Sequence, residues 1–526
     1  MKADASNEQR FIAEVEAFEF IACDLETIVH LLEDWLARLT CSLQSQSLAI
    51  PGLTGHNRLA RQADAINSLL RNSVPEWAQQ WAGLAPAQAL AESFDDKVLL
   101  LVFGKFNAGK SSFCNLLAER FAAHGKTVQY FYLERGHIVE TSERFEEGVT
   151  ETTARLQGVR LAGKLVLVDT PGLHSVTPEN AALTQRFTDS ADGVLWLTSS
   201  TSPGQVQELD ELGRELHRNK PLLPIVTRSD VYEEDEIDGE IRKCLRSKTA
   251  RNRAEQEDDV RVRAQEKLVT MGVDTGLLKT PVSISAYLAR EHQQTPAALT
   301  ESGFDKLYAA LLDVAEPTLA YKRRKLAEMF LHHLEENVMG TLCVDAMSMV
   351  AELQSLSTVA LGRLERQQEQ IANAVWRSVV PTLPELLEKH ATTRDVTAIC
   401  RSLSRSIFAS FSHEANRQLS DYIIEPAASL AEIRLGDEAH FEDIVVEAST
   451  ADGRLRKIVG VDYQRLHAAL GKAIRQQIVQ LSSHAVGQCH ASIRQLIQRV
   501  GSLEDSLRMH EDDLLKLKAK LRVEFV

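Results

Sequence analysis

The sequence predicts an α/β domain with a mainly parallel sheet, beside a helical bundle that both ends of the chain build together. Short runs rich in leucine and β-branched residues alternate with helical segments in the middle of the chain, as in sheets covered on both faces. Long one-sided apolar stripes at helical spacing precede and follow this region. We therefore divide the chain into an N-terminal helical neck at 1–95, an α/β domain at 96–315 and a C-terminal helical stalk at 316–526.

The middle region is predicted to contain buried strands, because each of its apolar runs is too short for a helix. The predicted strands are Val98–Phe103, Lys164–Val168, Gly193–Leu197, Leu222–Thr227 and Pro281–Ser285. A densely charged stretch at 232–267 interrupts this series. Such charge runs are typical of solvated helical faces, so we predict an exposed helix there.

Both ends of the chain carry apolar stripes that predict long helices. From Asn7 to Ser45 apolar residues recur in steps of three and four, which predicts one helix. After Pro317 no strand pattern returns. From about Asp462 to Glu524 the stripe predicts a single helix of about 63 residues. Since each stripe must be buried, we expect the two ends to pack against each other in one bundle.

Charge and cysteine usage restrict the class of protein. In this chain of 526 residues, 74 acidic side chains exceed 59 basic ones, and the net charge of −15 disfavours nucleic acid as a partner. The seven cysteines never occur as CxxC, which indicates free thiols in a reducing compartment. There is no signal-peptide pattern and no apolar run long enough to span a bilayer. We expect a cytosolic protein, which would meet a membrane, if at all, only peripherally.

The segment Gly104-Lys-Phe-Asn-Ala-Gly-Lys-Ser111 matches GxxxxGK[ST] between a predicted strand and a predicted helix. In such a loop, backbone N–H groups converge on phosphate oxygens, which requires small residues. Lys110 would bring its positive charge to the β- and γ-phosphates, and the Ser111 hydroxyl would ligate Mg²⁺. The residues of this loop that we assign to a nucleotide are Gly104, Asn107, Ala108, Gly109, Lys110 and Ser111.

Two further segments complete a phosphate and magnesium site. Asp169-Thr-Pro-Gly172 ends a predicted strand, so that the Asp169 carboxylate can hold Mg²⁺ directly or through water. The backbone N–H of Gly172 can bind the γ-phosphate. A threonine between the loop and Asp169 should close over Mg²⁺ and the γ-phosphate; Thr150, Thr152 and Thr153 are candidates, of which we favour Thr153, then Thr152.

The base of the nucleotide is assigned from two strand ends. Thr227-Arg-Ser-Asp230 looks like the [NT]KxD element of guanine-nucleotide proteins, in which the carboxylate, here Asp230, accepts two hydrogen bonds from guanine. Arg228 replaces the usual lysine, and its stem can still cover the face of the base. Ser285-Ala286 resembles the loop whose backbone N–H contacts guanine O6. An ATP-specific protein is the alternative if Asp230 has another role.

The order of these motifs is similar to that of large translation-factor-like GTPases, and Gly104–Phe113 resembles the dynamin superfamily, especially its bacterial and mitofusin-like branches. The paired Ser111-Ser112 and the threonine at position 227 fit that group, which also adds Ser112 to the nucleotide contacts. The resemblance implies a P-loop GTPase domain with a helical neck and stalk, GTP or GDP and Mg²⁺ as cofactors, and hydrolysis of GTP. It also implies assembly with itself or another dynamin-like protein, and membrane remodelling, vesicle release or secretion as the process.

Two positions depart from related GTPases. Leu173 stands where small GTPases carry the glutamine that orients water, and Phe106 stands where dynamins carry a polar glutamine. Neither side chain can hydrogen-bond a water molecule, which leaves Asn107 as the neighbouring candidate. We therefore expect slow turnover that dimerisation or a partner accelerates.

Two other functions remain open alternatives from the sequence. A nucleotide-controlled scaffold could act through a protein partner without remodelling a membrane, whereas a ribosome- or RNA-associated GTPase is disfavoured by the net charge of −15. The segment Arg454–Gly460 places basic beside apolar residues and is the best candidate for a membrane-contacting tip. An ordinary loop is the competing interpretation of that segment.

Overall fold

The structure is a computed structural model. It describes residues 5–19, 26–83, 94–105, 107–134, 137–147, 156–169, 188–201, 206–237, 240–425, 427–436, 439–450 and 453–524. Contacts group the chain into a first unit, Met1–Leu36 with Glu76–Val338 and Asp512–Val526, and a second unit, Ala37–Pro75 with Met339–Glu511. These bounds differ from the divisions expected at residues 95 and 315, and the three-part division stays a prediction.

The helices and strands have the following bounds. The strands are β1 Val98–Phe103, β2 Val128–Glu134, β3 His137–Thr141, β4 Gln157–Leu161, β5 Leu165–Asp169, β6 Gly193–Ser199, β7 Leu222–Thr227, β8 Asp230–Ile237, β9 Glu240–Ser247, β10 Val282–Ser283, β11 Glu442–Thr450 and β12 Gly453–Asp462. The α-helices are α1 Asn7–Ala17, α2 Glu26–Ser45, α3 Arg58–Ala82, α4 Lys110–Ala123, α5 Glu208–Glu211, α6 Gly213–His217, α7 Ala250–Thr270, α8 Ala286–Glu291, α9 Pro296–Glu301, α10 Phe304–His333, α11 Met347–Val379, α12 Leu383–His390, α13 Val396–Gln418 and α14 Gln464–Glu524. The 3₁₀ turns are Thr275–Leu277, Val380–Thr382 and Ala428–Ala431, and the π-helical turns are Leu334–Met339 and Leu342–Ala346.

The first unit is built on an eight-stranded sheet in the order β10-β7-β6-β1-β5-β4-β2-β3. Neighbouring strands from β10 to β5 are parallel, whereas β4, β2 and β3 are added antiparallel. The predicted parallel core is confirmed, and the antiparallel extension was not predicted. The last strand is shorter than predicted because the Ser285 side chain accepts a hydrogen bond from Leu288 N and thereby caps α8.

Two apolar layers cover this sheet. Alternate residues of a strand point to opposite faces. Leu100 and Val102 of β1 accordingly pack with α1, α4 and α10, whereas Leu99 and Leu101 pack with α5, α6 and α7. Because both faces are covered, the parallel strands β1, β5, β6 and β7 consist mostly of apolar residues, and their carboxyl ends meet at one edge of the sheet.

The N-terminal stretch is not one helix, and that prediction is wrong. α1 ends at Ala17, Phe18 leaves the helical conformation with φ −51° and ψ 119°, and α2 begins at Glu26. α1 packs into the α/β core because its apolar stripe meets aromatic rings there. The Phe11 ring lies 6.2 Å from that of Phe121, edge to face, and 5.9 Å from that of Tyr308.

The charged stretch at 232–267 is only partly helical, so that prediction also needs correction. Its first half forms the antiparallel hairpin β8–β9, in which acidic side chains of β8 face basic ones of β9, and Asp235 forms an ion pair with Arg246. Its second half lies in α7, which buries Val260, Ala264 and Leu268 against the sheet.

The second unit is mainly helical. α11 packs against the shorter helix α13. The predicted long C-terminal helix is confirmed as α14, with 61 residues. It meets the N-terminal half of the chain where the Ser42 and Ser506 hydroxyls lie 2.9 Å apart, which confirms the bundle shared by both chain ends. No helix in the described ranges is at once long and apolar enough to cross a membrane.

A two-stranded hairpin breaks the helical series, which makes the expectation of no strand after Pro317 wrong. β11 pairs antiparallel with β12, and a bulge lies between Ile444 and Val445. The candidate tip Arg454–Gly460 is therefore a strand, and not a loop. The sequence held the signal: Asp452-Gly453 separates two runs rich in valine and isoleucine, which is typical of hairpins.

We expect Phe11→Ala to lower the free energy of unfolding of the first unit by about 3–5 kcal/mol, because it removes a buried ring from the α/β core. Denaturant unfolding with a fluorescence readout measures this loss. Glu14→Ala, on the exposed side of α1, is the matched control. Equal stability of the two variants would show that α1 does not belong to this core.

Candidate nucleotide-binding site

The loop after β1 has a backbone that only small residues allow. Gly104 has φ +152°, and a Cβ there would lie 2.2 Å from the carbonyl oxygen of Leu197. Gly109 has φ +85° and directly precedes α4. Asn107 is exposed and also has a positive φ, +64°. The loop thus delivers successive N–H groups and the N-terminus of α4 to one place, which suits the oxygens of a phosphate.

Lys110 lies across this loop. Its Nζ donates hydrogen bonds to the carbonyl oxygens of Gly104 at 2.9 Å and Lys105 at 3.2 Å. Burial lowers the pKa of Lys110, and the negative charge of Asp169 opposes that shift. A phosphate could replace the two carbonyl oxygens as acceptor and supply the negative charge that a buried ammonium group favours.

Ser111 and Asp169 meet as the sequence predicts. The Ser111 hydroxyl donates to Asp169 Oδ2 at 2.7 Å, and Gln157 Nε2 of β4 donates to the same oxygen at 3.0 Å. Asp169 Oδ1 is buried and has no hydrogen-bond partner within the described ranges. Burial raises the pKa of Asp169, and the charge of Lys110 opposes the rise. A hydroxyl, a carboxylate and an unsatisfied buried oxygen are the donors that Mg²⁺ accepts, so these residues fit the ion.

The two base-recognition segments are joined to each other and to the phosphate loop. The Thr227 hydroxyl donates to the carbonyl oxygen of Ala108 at 2.7 Å, so its side chain positions the loop. Ser229 N donates to the carbonyl oxygen of Ile284 at 3.1 Å, which ties the first segment to the second. The structure therefore brings Thr227–Asp230, Ser285 and the phosphate loop together.

The residues predicted to contact guanine have different backbone positions and exposures. Asp230 is the first residue of β8 and lies opposite Ser247. Arg228 is exposed, with φ +55°. Ser285 N already donates to the carbonyl oxygen of Ser302 at 2.9 Å. Ala286 opens α8, so its N–H has no acceptor within that helix. The contact of Ala286 with the base stays a prediction.

Three residues of this region were missed because no motif marks them. Gln157 orients Asp169, as described above. Lys248 Nζ donates to Ser200 Oγ at 2.9 Å; burial lowers the pKa of Lys248, and the charge of Asp230 opposes that shift. Arg290 Nη1 of α8 donates to Ser112 Oγ at 3.1 Å, so the Ser112 side chain has a protein partner. The assignment of Ser112 to the nucleotide stays a prediction.

Part of the predicted catalytic machinery lies outside the described residues. This holds for Phe106, the candidate threonines Thr150, Thr152 and Thr153, Gly172 and Leu173. Their roles in binding Mg²⁺, contacting the γ-phosphate and positioning water stay predictions.

The strand order, the glycine-framed loop and the Lys110, Ser111 and Asp169 side chains define a P-loop GTPase domain. Residues 99–228 match the family model of the 50S ribosome-binding GTPases. The chain is 43% identical over 517 residues to the uncharacterized protein ACIAD1444 of Acinetobacter baylyi, a match that covers 98% of this chain and 99% of that protein. This chain belongs to the same family as the Acinetobacter protein.

Structural neighbours that cover nearly the whole chain are bacterial dynamins. One is the LeoA bacterial dynamin GTPase from ETEC, with 11% identity, a TM-score of 0.29, and coverage of 99% of this chain and 100% of that one. Another is an oligomerised bacterial dynamin pair described as a mechanism for long-range sensing and tethering of membranes. It has 13% identity, a TM-score of 0.31, and coverage of 96% of this chain and 82% of that one.

We expect Gly104→Ala to abolish nucleotide binding, because its Cβ would meet the carbonyl oxygen of Leu197 and displace the loop. Gly125→Ala is the matched control: its φ is also positive, +71°, but its Cβ would meet no atom within 4 Å. The control should lose about 1–2 kcal/mol of stability and keep its affinity. Fluorescent GDP titration and thermal unfolding measure both quantities; tight GDP binding by Gly104→Ala would contradict the assignment of the loop.

Proposed function

We propose that this protein is a dynamin-like GTPase that binds GTP with Mg²⁺, hydrolyses it to GDP and phosphate, and couples nucleotide state to assembly and peripheral membrane contact. The observation that carries the nucleotide half is the meeting of Lys110, Ser111 and Asp169 at the carboxyl ends of β1 and β5. Guanine nucleotide is the small-molecule partner, and another copy or a second dynamin-like protein is the assembly partner. The proposed location is the cytoplasm, with peripheral contact at the inner membrane.

Each site residue has a defined task in this proposal. Gly104, Ala108 and Gly109 shape the amide cradle, and the Lys110 ammonium holds the β- and γ-phosphates. Ser111 and Asp169 would hold Mg²⁺, which when bound supplies positive charge between those phosphates.

Hydrolysis requires groups that position water and contact the γ-phosphate. Thr153, with Thr152 as the second candidate, would close over the γ-phosphate, and the N–H of Gly172 would contact it. Asn107, exposed beside the cradle, is the proposed group nearest to the attacking water. Leu173 offers no hydrogen bond to that water, which favours a slow reaction that assembly accelerates.

Guanine selectivity is the sharpest test of the site. Asp230→Ala should weaken GDP binding about a hundredfold, because two hydrogen bonds to a carboxylate contribute about 3 kcal/mol together. ADP binding should stay weak and change little. Titrations of both nucleotides measure this difference, and Lys110→Ala is the comparison that should lose both. Equal affinities of the unaltered protein for GDP and ADP would overturn the guanine assignment in favour of an ATP-type site.

The membrane half of the proposal is supported by the β11–β12 hairpin. Ile444, Val446, Ile458 and Val459 are exposed to 47%, 51%, 56% and 60%. Covering water-exposed aliphatic groups with an apolar phase lowers the free energy by about 25 cal/mol per Å² of buried surface. On the same hairpin Lys457 is exposed beside Ile458, and its positive charge favours an anionic surface.

Ion pairs connect the base of the hairpin to neighbouring elements of the second unit. Arg465 Nη1 lies 2.9 Å from Glu442 Oε1, and Arg394 pairs with Asp443. These contacts connect β11 to α14 and to the loop before α13. We propose that the hairpin is the membrane-contacting tip of the second unit.

A series of contacts inside the first unit connects the segment after Gly172 to helices α10 and α14. Ser190 and Asp192 follow the segment that carries Gly172, and Lys325 of α10 contacts both, at 2.7 Å and 2.6 Å. One turn further along α10, Glu328 accepts two hydrogen bonds from Arg522 of α14, at 3.1 Å and 3.0 Å. We propose that release of the γ-phosphate from Gly172 changes these contacts and thereby the packing of the C-terminal end of α14 on α10.

We expect Ile458→Asp to reduce binding to phosphatidylglycerol vesicles by a factor of at least about 30, since burying isoleucine contributes about 2 kcal/mol. Co-sedimentation with vesicles, in GDP and in a non-hydrolysable GTP analogue, measures the effect. Val479→Asp is the control, because Val479 is an exposed aliphatic residue of α14 outside the hairpin. If the unaltered protein does not sediment with vesicles in either nucleotide, the scaffold without membrane remodelling replaces the membrane half of the proposal.

A further inference from the structure

A second charged site lies in the helical second unit. One face of α11 and the end of α13 line an open cavity of about 740 Å³. Its wall carries four arginines, Arg363, Arg366, Arg377 and Arg417. Such a concentration of guanidinium groups is unexpected in a chain with a net charge of −15.

Three of these arginines have no ion-pair partner among the described residues. Arg417 is bound to Glu414 at 2.7 Å. Arg363, Arg366 and Arg377 are exposed, and none of them forms an ion pair or hydrogen bond with another residue of the described ranges. Like charges on one exposed helix face repel one another, and an anion that contacts all three guanidinium groups would remove that repulsion.

The spacing of the arginines sets the length of the ligand. Arg363 and Arg366 are one turn apart, and Arg377 is three turns further along the same face of α11. At 1.5 Å per residue, the basic groove is about 21 Å long from Arg363 to Arg377. A single phosphate or carboxylate would contact only one end of the groove, whereas an extended anion contacts all of it.

The donors in the groove distinguish a phosphate chain from an acidic peptide. Besides the arginines, the side-chain amides of Gln370 and Asn373 line it between Arg366 and Arg377. Arginine has no acceptor, so the guanidinium groups pair with oxygens only, whereas the amide oxygens of Gln370 and Asn373 and the carboxylate of Asp421 can also accept hydrogen bonds. Every unit of a phosphate chain brings oxygens to the guanidinium groups, which favours it over a peptide whose backbone N–H groups would face the same donors.

We propose that this groove is a binding site for an elongated, phosphate-bearing anion. The ligand runs along α11, with its phosphate oxygens taken in bidentate fashion by Arg363, Arg366 and Arg377. This site is separate from the nucleotide site in residues and in chemistry, since it uses side-chain guanidinium groups and the nucleotide site uses backbone N–H groups. The ligand can be a soluble polyphosphate or the headgroups of an anionic lipid, which share this chemistry.

The test uses the full chain saturated with GDP, so that the phosphate loop is occupied. Calorimetric titrations employ three probes: inorganic polyphosphate of defined length, an oligoglutamate peptide of matching charge, and phosphatidylglycerol vesicles. The vesicles are titrated into the Ile458→Asp variant, so that the β11–β12 hairpin does not contribute to the binding that is measured. Binding of either phosphate probe above that of oligoglutamate supports the proposal, and whichever of the two binds identifies the source of the phosphate. Binding of oligoglutamate as tight as that of both phosphate probes, or binding of none, overturns it.

Variants place the binding in the groove. Arg366→Gln with Arg377→Gln should weaken binding of the phosphate probe about a hundredfold, because the loss of each charged hydrogen-bonding partner costs about tenfold in affinity. The control pair Arg401→Gln with Arg405→Gln removes two exposed arginines of α13 outside the cavity lining and should leave the affinity unchanged. Thermal unfolding and GDP affinity should be the same in all variants. Equal losses in the double variant and in the control would mean that net charge alone attracts the anion, which contradicts a site.

Discussion

The hydrogen bond of 2.7 Å between the Ser111 hydroxyl and the Asp169 carboxylate is the contact on which the rest of the site depends. It is possible only because β1 and β5 are parallel neighbours, so that α4 begins beside the end of β5. The carboxylate is buried there at an energetic cost, and the ammonium group of Lys110 offsets part of that cost. The Asp169 carboxylate, with one oxygen unsatisfied among the described residues, and the Lys110 ammonium group are what the phosphate and the divalent cation of our proposal would meet.

Elements that are buried on all sides could be predicted, because their residues are apolar throughout. Elements whose formation depends on a residue far away in the chain were missed. β1 and β7 are apolar on both faces, so composition alone identified them. β4 contains Gly158, which disfavours a strand, yet a Cβ there would lie 2.2 Å from the Phe131 ring of β2. Only the folded sheet reveals that this glycine makes room for a neighbour. The prediction of one helix from Asn7 to Ser45 was wrong for a related reason. The apolar stripe of α1 continues through Phe18, but these residues pack into the α/β core and do not continue into α2.

The residues of the candidate site also fall into those that could be predicted from the sequence and those that could not. Lys110, Ser111 and Asp169 could be predicted because backbone geometry forces particular residue types at fixed spacing in a phosphate loop. Gln157 and Lys248 could not, because any polar side chain that reaches the right atom serves, and reach is a property of the fold. Thr227 shows both aspects: it was predicted from its motif, but its hydroxyl donates to the carbonyl oxygen of Ala108. Its visible task is to hold the phosphate loop against the base-recognition segment.

The net charge of −15 constrains how the second unit could meet an anionic surface. At physiological ionic strength charges are screened beyond about 8 Å, so the whole chain is repelled weakly from afar and the arginines act only at contact. The exposed aliphatic residues of the β11–β12 hairpin do not depend on charge, and they can therefore make the first contact with lipid. In the proposed membrane contact, basic groups would add affinity only when the distance is short. Selection of an anionic surface would then depend on the apolar hairpin and the basic groove at close range, because long-range attraction does not contribute.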